Sequence, residues 1–207
     1  ALPLPPVARI AAGVALQEIM IQAGRIDIAE PPESEIYFNV ASRRRTGREK
    51  EGDWTSLPVE NEIVEVVGAG GIGVHLLEVL ATLLGRGCEL RIFDPDVVGP
   101  ENLPSQIAYS TADVYQPKAQ VIAEKLMKSG HPGLTIRPFV MRYQERPRDL
   151  SAPSLRVLCP DNWTVRLYAN GLSLRDGVPL ADAGSSPLAA QQRTYLPGVS
   201  ACLACRI

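Results

Sequence analysis

The sequence lacks an excess of positive charge, long apolar runs and a signal-peptide pattern. With 21 Lys and Arg against 23 Asp and Glu, the 207 residues carry a formal charge of -2 at pH 7. That balance gives no electrostatic reason to expect nucleic acid or an anionic membrane as a partner. No stretch approaches the roughly 18 to 20 continuous apolar residues that span a bilayer. The first residues, ALPLPPVARI, lack the basic start and apolar run of a signal peptide. We therefore expect a cytoplasmic protein that binds neither nucleic acid nor membrane.

Cysteine is also scarce, with four residues in the chain: Cys88, Cys159, Cys202 and Cys205. In a cytosolic chain of this size disulfides are not expected, and metal binding or catalysis come first. Cys88 and Cys159 stand in apolar segments, where burial as small hydrophobic side chains is the simplest interpretation. Cys202 and Cys205 have the C-x-x-C spacing of half a tetrahedral zinc site. A redox pair is the alternative, although a thioredoxin-like context is missing.

What the sequence does contain, from residue 60 onward, is an alternation of short apolar runs and helical segments. Strands are predicted within residues 62–67, 88–96, 134–140, 154–160 and 178–184, and helices within 72–87, 118–130 and 163–177. Residues 60–96 form a strand–helix–strand unit, which favours a parallel sheet. The expected fold is α/β, a Rossmann-like, doubly wound, mainly parallel sheet with flanking helices and with ligands at the carboxyl ends of its strands.

Residues 1–59 are predicted to be an accessory segment, separate from a domain over residues 60–207. Apolar residues recur at roughly helical spacing over residues 7–22, and residues 35–41, EIYFNVA, alternate like a strand. The polar run from Arg43 to Lys50 is interpreted as an exposed loop. The alternative is that one of its arginines reaches a phosphate group.

A glycine cluster follows the first strand of the domain. The spacing G-x-G-x-x-G is formed by three glycines, and a fourth lies within it: Gly68, Gly70, Gly71 and Gly73. Glycine permits positive φ angles in such a turn and lets the backbone approach phosphate, while the helix that follows offers its amino end to an anion. Asp94 ends the next strand, where a carboxylate can accept hydrogen bonds from ribose hydroxyls. These features predict a nucleotide site but do not distinguish NAD, FAD, S-adenosylmethionine and ATP.

The residues after Asp94 resemble a known family. Five blocks occur in order over roughly residues 60–207: VVGAGGIG, FDPDVVGPENLPSQ, QPKAQ, CPDNWTVR and CLAC. Together they are similar to the signature of the E1-like adenylyltransferases, which include ThiF, MoeB, HesA and the adenylation domains of ubiquitin-activating enzymes.

The resemblance implies a role for several residues. Asp94, with Asp96 nearby, would bind the ribose of ATP, and the glycines would line the phosphate loop. Asn102, Gln106 and Lys118 would contact the phosphates, and Asp161 would help to hold Mg²⁺. A lysine and a magnesium ion are the usual means of neutralising phosphate charge. The alternative is that Asn102 and Asp161 simply form turns.

Two features depart from the family pattern. Ser105 stands where relatives have an arginine directed at phosphate. The sequence contains one C-x-x-C pair, whereas relatives use two such pairs to complete a zinc site. A charged bidentate contact of this kind contributes about 1.5 to 3 kcal/mol. Another arginine, from residues 43–48 or from a second subunit, is one way to restore it. None of the four cysteines is assigned as a catalytic nucleophile.

The expected function is Mg·ATP-dependent adenylation of the C-terminal carboxylate of a ubiquitin-like or sulfur-carrier protein. The resemblance further implies ATP and Mg²⁺ as cofactors, Zn²⁺ as a third candidate, and assembly as a homodimer or an E1-like heterodimer. A catalytically inactive E1-like scaffold subunit is the second hypothesis, because of Ser105. An NAD-dependent oxidoreductase is the third, and it leaves Asn102, Lys118 and Asp161 without a role.

Overall fold

A computed structural model describes residues 37–39, 44–46, 60–186 and 189–206. The chain divides into two compact units, Ala1–Leu57 and Pro58–Ile207. In the first unit, β1 (Tyr37–Asn39) pairs antiparallel with β2 (Arg44–Thr46). The strand predicted at residues 35–41 is confirmed, but the loop predicted from Arg43 to Lys50 is wrong at Arg44–Thr46. These polar residues form a strand because their backbone pairs with β1, and such pairing cannot be predicted from composition alone. The helix predicted over residues 7–22 lies outside the described residues.

The second unit is built on a six-stranded sheet. Its strands are β3 (Ile63–Val67), β4 (Glu89–Phe93), β5 (Thr135–Phe139), β6 (Leu155–Leu158), β7 (Leu180–Ser186) and β8 (Ala189–Tyr195). Their order is β5-β4-β3-β6-β7-β8, and every pairing is parallel except that of β7 with β8. The predicted Rossmann-like, mainly parallel sheet is confirmed. The strand β8 was not predicted, since its residues AAQQRTY are mostly polar.

Three α-helices connect the strands within residues 60–186: α1 (Gly71–Leu83), α2 (Lys118–Lys128) and α3 (Trp163–Asp176). Each lies within its predicted range except that α1 begins one residue earlier. The helix α3 ends at Gly177, whose φ of +65° is left-handed, as expected of a glycine after a helix. Within the described residues, none of the helices is both long enough and apolar enough to cross a membrane.

Alternating side chains of the central strands pack on opposite faces of the sheet, each covered by its own hydrophobic cluster. Val64 and Val66 of β3 belong with α1 and α2 to one cluster. Val67 of β3, Phe93 of β4 and Leu158 of β6 belong to the other, with residues of α3. The chain therefore winds both ways from β3, with β4 on one side and β6 on the other. In such sheets ligands bind at the carboxyl ends of the strands where the winding reverses.

Candidate functional site

The turn after β3 depends on two glycines for its shape. Gly68 has a φ of +98°, and a Cβ there would lie 2.9 Å from the carbonyl carbon and oxygen of Cys159, which follows β6. A Cβ on Gly73 would lie 2.0 Å from the carbonyl oxygen of Gly68. By contrast, Gly70 and Gly71 leave room, with the nearest atoms 4.0 and 3.8 Å from an added Cβ. Gly68 and Gly73 thus close the turn, whereas Gly70 and Gly71 form its open side.

Asp94 is bonded to this turn. Its carboxylate is 5% exposed and accepts hydrogen bonds from the backbone N–H of Ala69, at 2.6 Å, and of Asp96, at 2.8 Å. Burial raises the pKa of Asp94, and the two backbone hydrogen bonds oppose that shift. Each carboxylate oxygen retains a second lone pair, so Asp94 can shape the turn and still accept a hydrogen bond from a ligand hydroxyl.

Lys118 lies beside Asp94 at the first position of α2. Its side chain is 9% exposed, and its Nζ lies 3.5 Å from the carboxylate of Asp96, which is 66% exposed. The backbone N–H of Lys118 donates to the carbonyl of Asp96 at 2.9 Å. Tyr109 connects the start of α2 to the glycine turn, because its hydroxyl donates to the carbonyl of Ala69 at 2.8 Å and lies 3.4 Å from the carbonyl oxygen of Lys118. The sequence interpretation missed Tyr109.

Asn102 and Gln106 both line the cleft that contains the glycine turn. The side-chain oxygen of Asn102 accepts from the N–H of Gly99 at 2.9 Å, so the turn-forming interpretation of Asn102 holds for that oxygen. The amide nitrogen of Gln106 lies 4.0 Å from where a Cβ of Gly70 would be. Its Oε1 is closed to water and has no hydrogen-bond partner within the described residues. Ser105, between them in sequence, is exposed.

Asp161 lies in the segment that joins β6 to α3, on the other side of β3 from Asp94, which follows β4. Its side chain is exposed, while the neighbouring Asn162 caps α3 by accepting from the N–H of Val165 at 3.0 Å. Asn162 is therefore the capping residue, and Asp161 lines the cleft. Magnesium bound with a nucleotide typically takes one or two carboxylates and completes its shell with phosphates and water. A single well-placed aspartate fits that requirement.

These residues line one cleft of about 1160 Å³. The predicted site residues that line it are Gly68, Gly70, Gly71, Asp94, Asp96, Asn102, Gln106, Lys118 and Asp161. Gly73 packs beneath the turn rather than on the cleft surface. The volume exceeds the usual range of about 300 to 1,000 Å³ for a small-molecule site, so the cleft has room for a nucleotide and part of a second group.

Several residues of the cleft were not predicted. Arg142 and Arg166 both line it. Arg166 is 8% exposed, pairs with the buried Asp182 and donates to the carbonyls of Pro160, at 2.6 Å, and Ala183, at 3.0 Å. Arg142 is exposed. The motif DNWTVR could have drawn attention to Arg166, whereas nothing in the sequence marked Arg142.

The expected burial is confirmed for Cys88, whereas Cys159 is only partly buried. Cys88 is buried in the core. Cys159 lines the cleft, but burial raises the pKa of its thiol to about 12, which keeps it protonated at neutral pH. The sulfurs of Cys202 and Cys205 lie 3.4 Å apart, and the hydrogen bond from Cys205 lowers the pKa of Cys202. Two thiols so placed fit two corners of a zinc tetrahedron, in which sulfurs bound at about 2.3 Å lie about 3.8 Å apart. In the part of the chain that the structure describes, no third Cys, His, Asp or Glu joins them.

Comparison with known proteins agrees with the geometry. The model of the ThiF family matches residues 56–207. The chain is 30% identical over 136 residues to the SAMP-activating enzyme E1 of Haloferax volcanii, covering 65% of this chain and 49% of that protein. It is 34% identical over 120 residues to the sulfur carrier protein adenylyltransferase of Thermus thermophilus, covering 56% and 43%.

Two further similarities concern a eukaryotic protein and a solved structure. The chain is 28% identical over 148 residues to the NEDD8-activating enzyme E1 catalytic subunit of Schizosaccharomyces pombe, covering 69% of this chain and 33% of that protein. A crystal structure of E. coli MccB with ATP superposes with a TM-score of 0.63 and 25% identity, over 71% of this chain and 45% of MccB. The chain therefore spans between a third and a half of the length of these relatives.

Proposed function

The chain belongs to the ThiF family, and from that premise we propose that its cleft binds Mg·ATP and adenylates the C-terminal carboxylate of a ubiquitin-like or sulfur-carrier protein. The observation that carries the proposal is the gathering of one buried aspartate, one lysine and one exposed aspartate around an open glycine turn: Asp94, Lys118 and Asp161. The named relatives activate SAMP, NEDD8 and a sulfur carrier protein, which supports a protein carboxylate as the substrate.

The phosphate end of the nucleotide would lie at the amino end of α1. Within that helix the first turn carries no acidic residue, and among the described residues no side chain caps its N–H groups. These N–H groups and the positive end of the helix dipole are therefore available to an anion. Lys118 and the amide groups of Asn102 and Gln106 would add donors on the open side of Gly70.

Catalysis would rest on positioning and charge. The carboxylate oxygen attacks the α-phosphorus, an acyl-adenylate forms and pyrophosphate leaves. When bound at Asp161, Mg²⁺ would supply positive charge to the phosphates. Lys118 would stabilise the charge that develops on the leaving pyrophosphate, and Asp94 would fix the ribose, so that attack occurs in line. The cleft extends past Asp161 to Ser185 of β7 and Gln191 of β8, which leaves space for an extended carboxyl-terminal tail.

The first test is stabilisation of the chain by ligand. Mg·ATP at about 100 times its dissociation constant should add roughly 2.7 kcal/mol of stability. NAD, or ATP with a chelator, should add much less. Lys118→Ala and Asp161→Ala should abolish most of the Mg·ATP effect, whereas the exposed residues Lys128 and Asp149, each replaced by alanine, serve as matched controls. Stabilisation by NAD but not by Mg·ATP would contradict the proposal.

The second test is ATP–pyrophosphate exchange in the presence of candidate carrier proteins. Exchange that depends on a carrier with a free C-terminal carboxylate, and is lost when that carboxylate is amidated, is the expected result. Nucleotide binding without exchange for any carrier would favour the second candidate function, an inactive E1-like subunit. The specific observation in its favour is Ser105 in place of the family arginine.

We also propose, from the family resemblance, that the chain acts as a homodimer or within an E1-like heterodimer, and that Cys202 and Cys205 provide two zinc ligands. Sedimentation of the purified chain tests the first point. Metal analysis of the wild-type chain and of Cys205→Ser tests the second, and equal zinc content in the two proteins would refute it.

A further inference from the structure

Two free thiols lie side by side in a turn that does not line the cleft. The sulfurs of Cys202 and Cys205 are 3.4 Å apart. The backbone N–H of Cys205 donates to the carbonyl of Cys202 at 3.2 Å, and such a turn keeps its end Cα atoms within about 7 Å. Disulfides join Cα atoms that lie about 4.4 to 6.8 Å apart and bring the sulfurs to about 2.05 Å. The backbone therefore already has the span of a disulfide, and only the sulfurs must approach each other.

The two cysteines differ in their access to solvent. Cys205 is exposed, whereas Cys202 is 7% exposed and belongs to the hydrophobic cluster that covers one face of the sheet. The rate of exchange between a thiol and a disulfide depends on how accessible the attacking sulfur is. A small disulfide in solution would therefore react at Cys205, and Cys202 lies behind it, within reach of the bond that forms.

A buried hydrogen bond fixes this turn on α3. The backbone N–H of Leu203 donates to Oδ1 of Asn170 at 3.0 Å, and the two residues are 2% and 3% exposed. Ala169, the neighbour of Asn170 on α3, shares a hydrophobic cluster with Cys202 and Leu203. Breaking the hydrogen bond would leave a buried donor and a buried acceptor unpaired, which is unfavourable. Cys202 is thus held beside Cys205 while both thiols are reduced.

We propose that Cys202 and Cys205 form a reversible disulfide by exchange with a small-molecule disulfide, and that Asn170 is the positioning residue of the pair. In the first step the Cys205 thiolate attacks one sulfur of the small disulfide, a mixed disulfide forms, and one small thiol leaves. In the second step the Cys202 thiolate attacks the Cys205 sulfur, and the second small thiol leaves. The cysteines lose two electrons and two protons, and the small disulfide gains both as two thiols. The inference does not rest on the proposed nucleotide site.

The disulfide gives the pair a second state, besides that of two zinc ligands. Metal ions bind the thiolate form of cysteine, so closing the disulfide removes both ligands, and oxidation and metal binding exclude each other. Within the described part of the chain, no His, Asp, Glu or further Cys joins the two sulfurs. A metal held by these residues would have two protein ligands, whereas a structural zinc site has four. The two thiols are thus open to oxidation unless other groups complete the site.

The experiment measures the oxidation state of each cysteine in the full chain. The protein is reduced, freed of metal with a chelator and equilibrated with mixtures of reduced and oxidised glutathione. Free thiols are then trapped with N-ethylmaleimide in denaturant and identified by mass spectrometry. The internal disulfide should exceed the mixed disulfide at Cys205 by about tenfold or more, because the second thiol is already in place, and dithiothreitol should restore both thiols. Cys88, which is buried, and Cys159, whose pKa of about 12 keeps it protonated, should stay reduced as internal controls.

Variants test the order of the two steps and the role of Asn170. Cys202→Ser should stop at the mixed disulfide on Cys205, and Cys205→Ser, which leaves the buried thiol alone, should form about tenfold less mixed disulfide. Asn170→Ala removes the acceptor of the Leu203 N–H and should lower the ratio of internal to mixed disulfide about tenfold. Asn170→Asp keeps an acceptor oxygen and should retain most of that ratio. Gly171→Ala is the matched control on α3, because an added Cβ there has no atom within 4 Å outside the helix backbone.

A mixed disulfide at Cys205 that persists in the wild type would overturn the proposal, because Cys202 would then not reach the bond. A disulfide between two copies of the chain, seen as a dimer on a non-reducing gel, would overturn it as well, and so would full reduction of both cysteines in the most oxidising mixture. An unchanged ratio in Asn170→Ala, or oxidation of Cys88 in that variant as a sign of general unfolding, would refute the positioning role. None of these outcomes involves nucleotide binding, so the proposed function is tested separately.

Discussion

Replacing single glycines of the turn after β3 should separate residues that the fold requires from residues that ligand binding requires. At Gly73 an added Cβ would lie 2.0 Å from the carbonyl oxygen and 2.8 Å from the carbonyl carbon of Gly68, both backbone atoms that cannot move aside. We expect Gly73→Ala to cost about 3 kcal/mol or more. At roughly 2 to 4 °C per kcal/mol for a unit of this size, its melting temperature should fall by about 6 to 12 °C or more.

Gly70→Ala should behave in the opposite way. The backbone φ of Gly70 is -84°, outside the left-handed region that requires glycine, and the nearest atom outside the turn is 4.0 Å from the added Cβ. Alanine is less favourable than glycine at a helix N-cap by about 0.5 kcal/mol, and the reduced entropy of the unfolded chain offsets this by about 0.4 to 1 kcal/mol. The melting temperature without ligand should therefore stay within about 2 °C of the wild type.

Ligand binding by Gly70→Ala should nevertheless be impaired, because the new methyl group lies on the open side of the turn, where backbone and phosphate must approach closely. A tenfold weaker Mg·ATP complex is about 1.4 kcal/mol. At a ligand concentration that stabilises the wild type by about 2.7 kcal/mol, the variant should gain about 1.4 kcal/mol. Thermal unfolding with and without Mg·ATP measures both effects. Wild-type ATP affinity in Gly70→Ala, or unfolding as severe as that of Gly73→Ala, would refute the reasoning.

Three further predictions concern other residues. Ser105→Arg should increase ATP–pyrophosphate exchange about tenfold or more if no other arginine takes the family position, since it adds a charged contact of about 1.5 to 3 kcal/mol; an unchanged rate contradicts this. Tyr109→Phe should lose about 1 kcal/mol of stability and weaken Mg·ATP binding, as measured by denaturant unfolding and titration. Hydrogen bonds from Arg175 and Arg156 lower the pKa of Asp176. The ionised Asp176 therefore stabilises the fold at pH values above its unfolded pKa of about 3.9, and this stabilisation is lost as the pH falls through its lower pKa in the folded state. Asp176→Asn should be less stable at pH 7, and its difference from the wild type should shrink below about pH 4.

The sequence predicted those parts of the fold that depend on local pattern. The alternation of apolar runs and helices located the described strands β3 to β7 and the three helices, because burial on both faces of a parallel strand gives nearly continuous apolar runs. Glycine spacing and the distance to Asp94 located the turn, because these depend on backbone geometry. The polar strand β8 was missed, since its pairing with β7 comes from the antiparallel edge of the sheet and not from its own hydrophobicity.

Features that depend on register between distant strands could not be predicted. Glu65, Arg91 and Arg156 lie 26 and 65 residues apart in sequence, yet they are neighbours across three strands. Taken singly, each charged residue argues weakly against a buried strand, and the balance of charges appears only when the strands are aligned. The hydrogen bonds of Tyr143 depend on the same alignment, because its hydroxyl donates to Glu65 and accepts from Arg156.

Charged and apolar side chains occupy different layers on the face of the sheet that carries Val67, Phe93 and Leu158, so that apolar residues separate the buried charges from the cleft. Glu65, Arg91 and Arg156 occupy the sheet one layer before Val67, Phe93 and Leu158, which end their strands beneath the cleft. The charges satisfy one another away from the ligand. The last residues of these strands are apolar, so that a hydrogen bond accepted by Asp94 or donated by the glycine turn would form next to an apolar layer, where electrostatic interactions are stronger than in water. In the proposed nucleotide site, a carboxylate in place of Val67, which lines the cleft, would put an unpaired negative charge close to the phosphates, whereas the charges one layer deeper are paired.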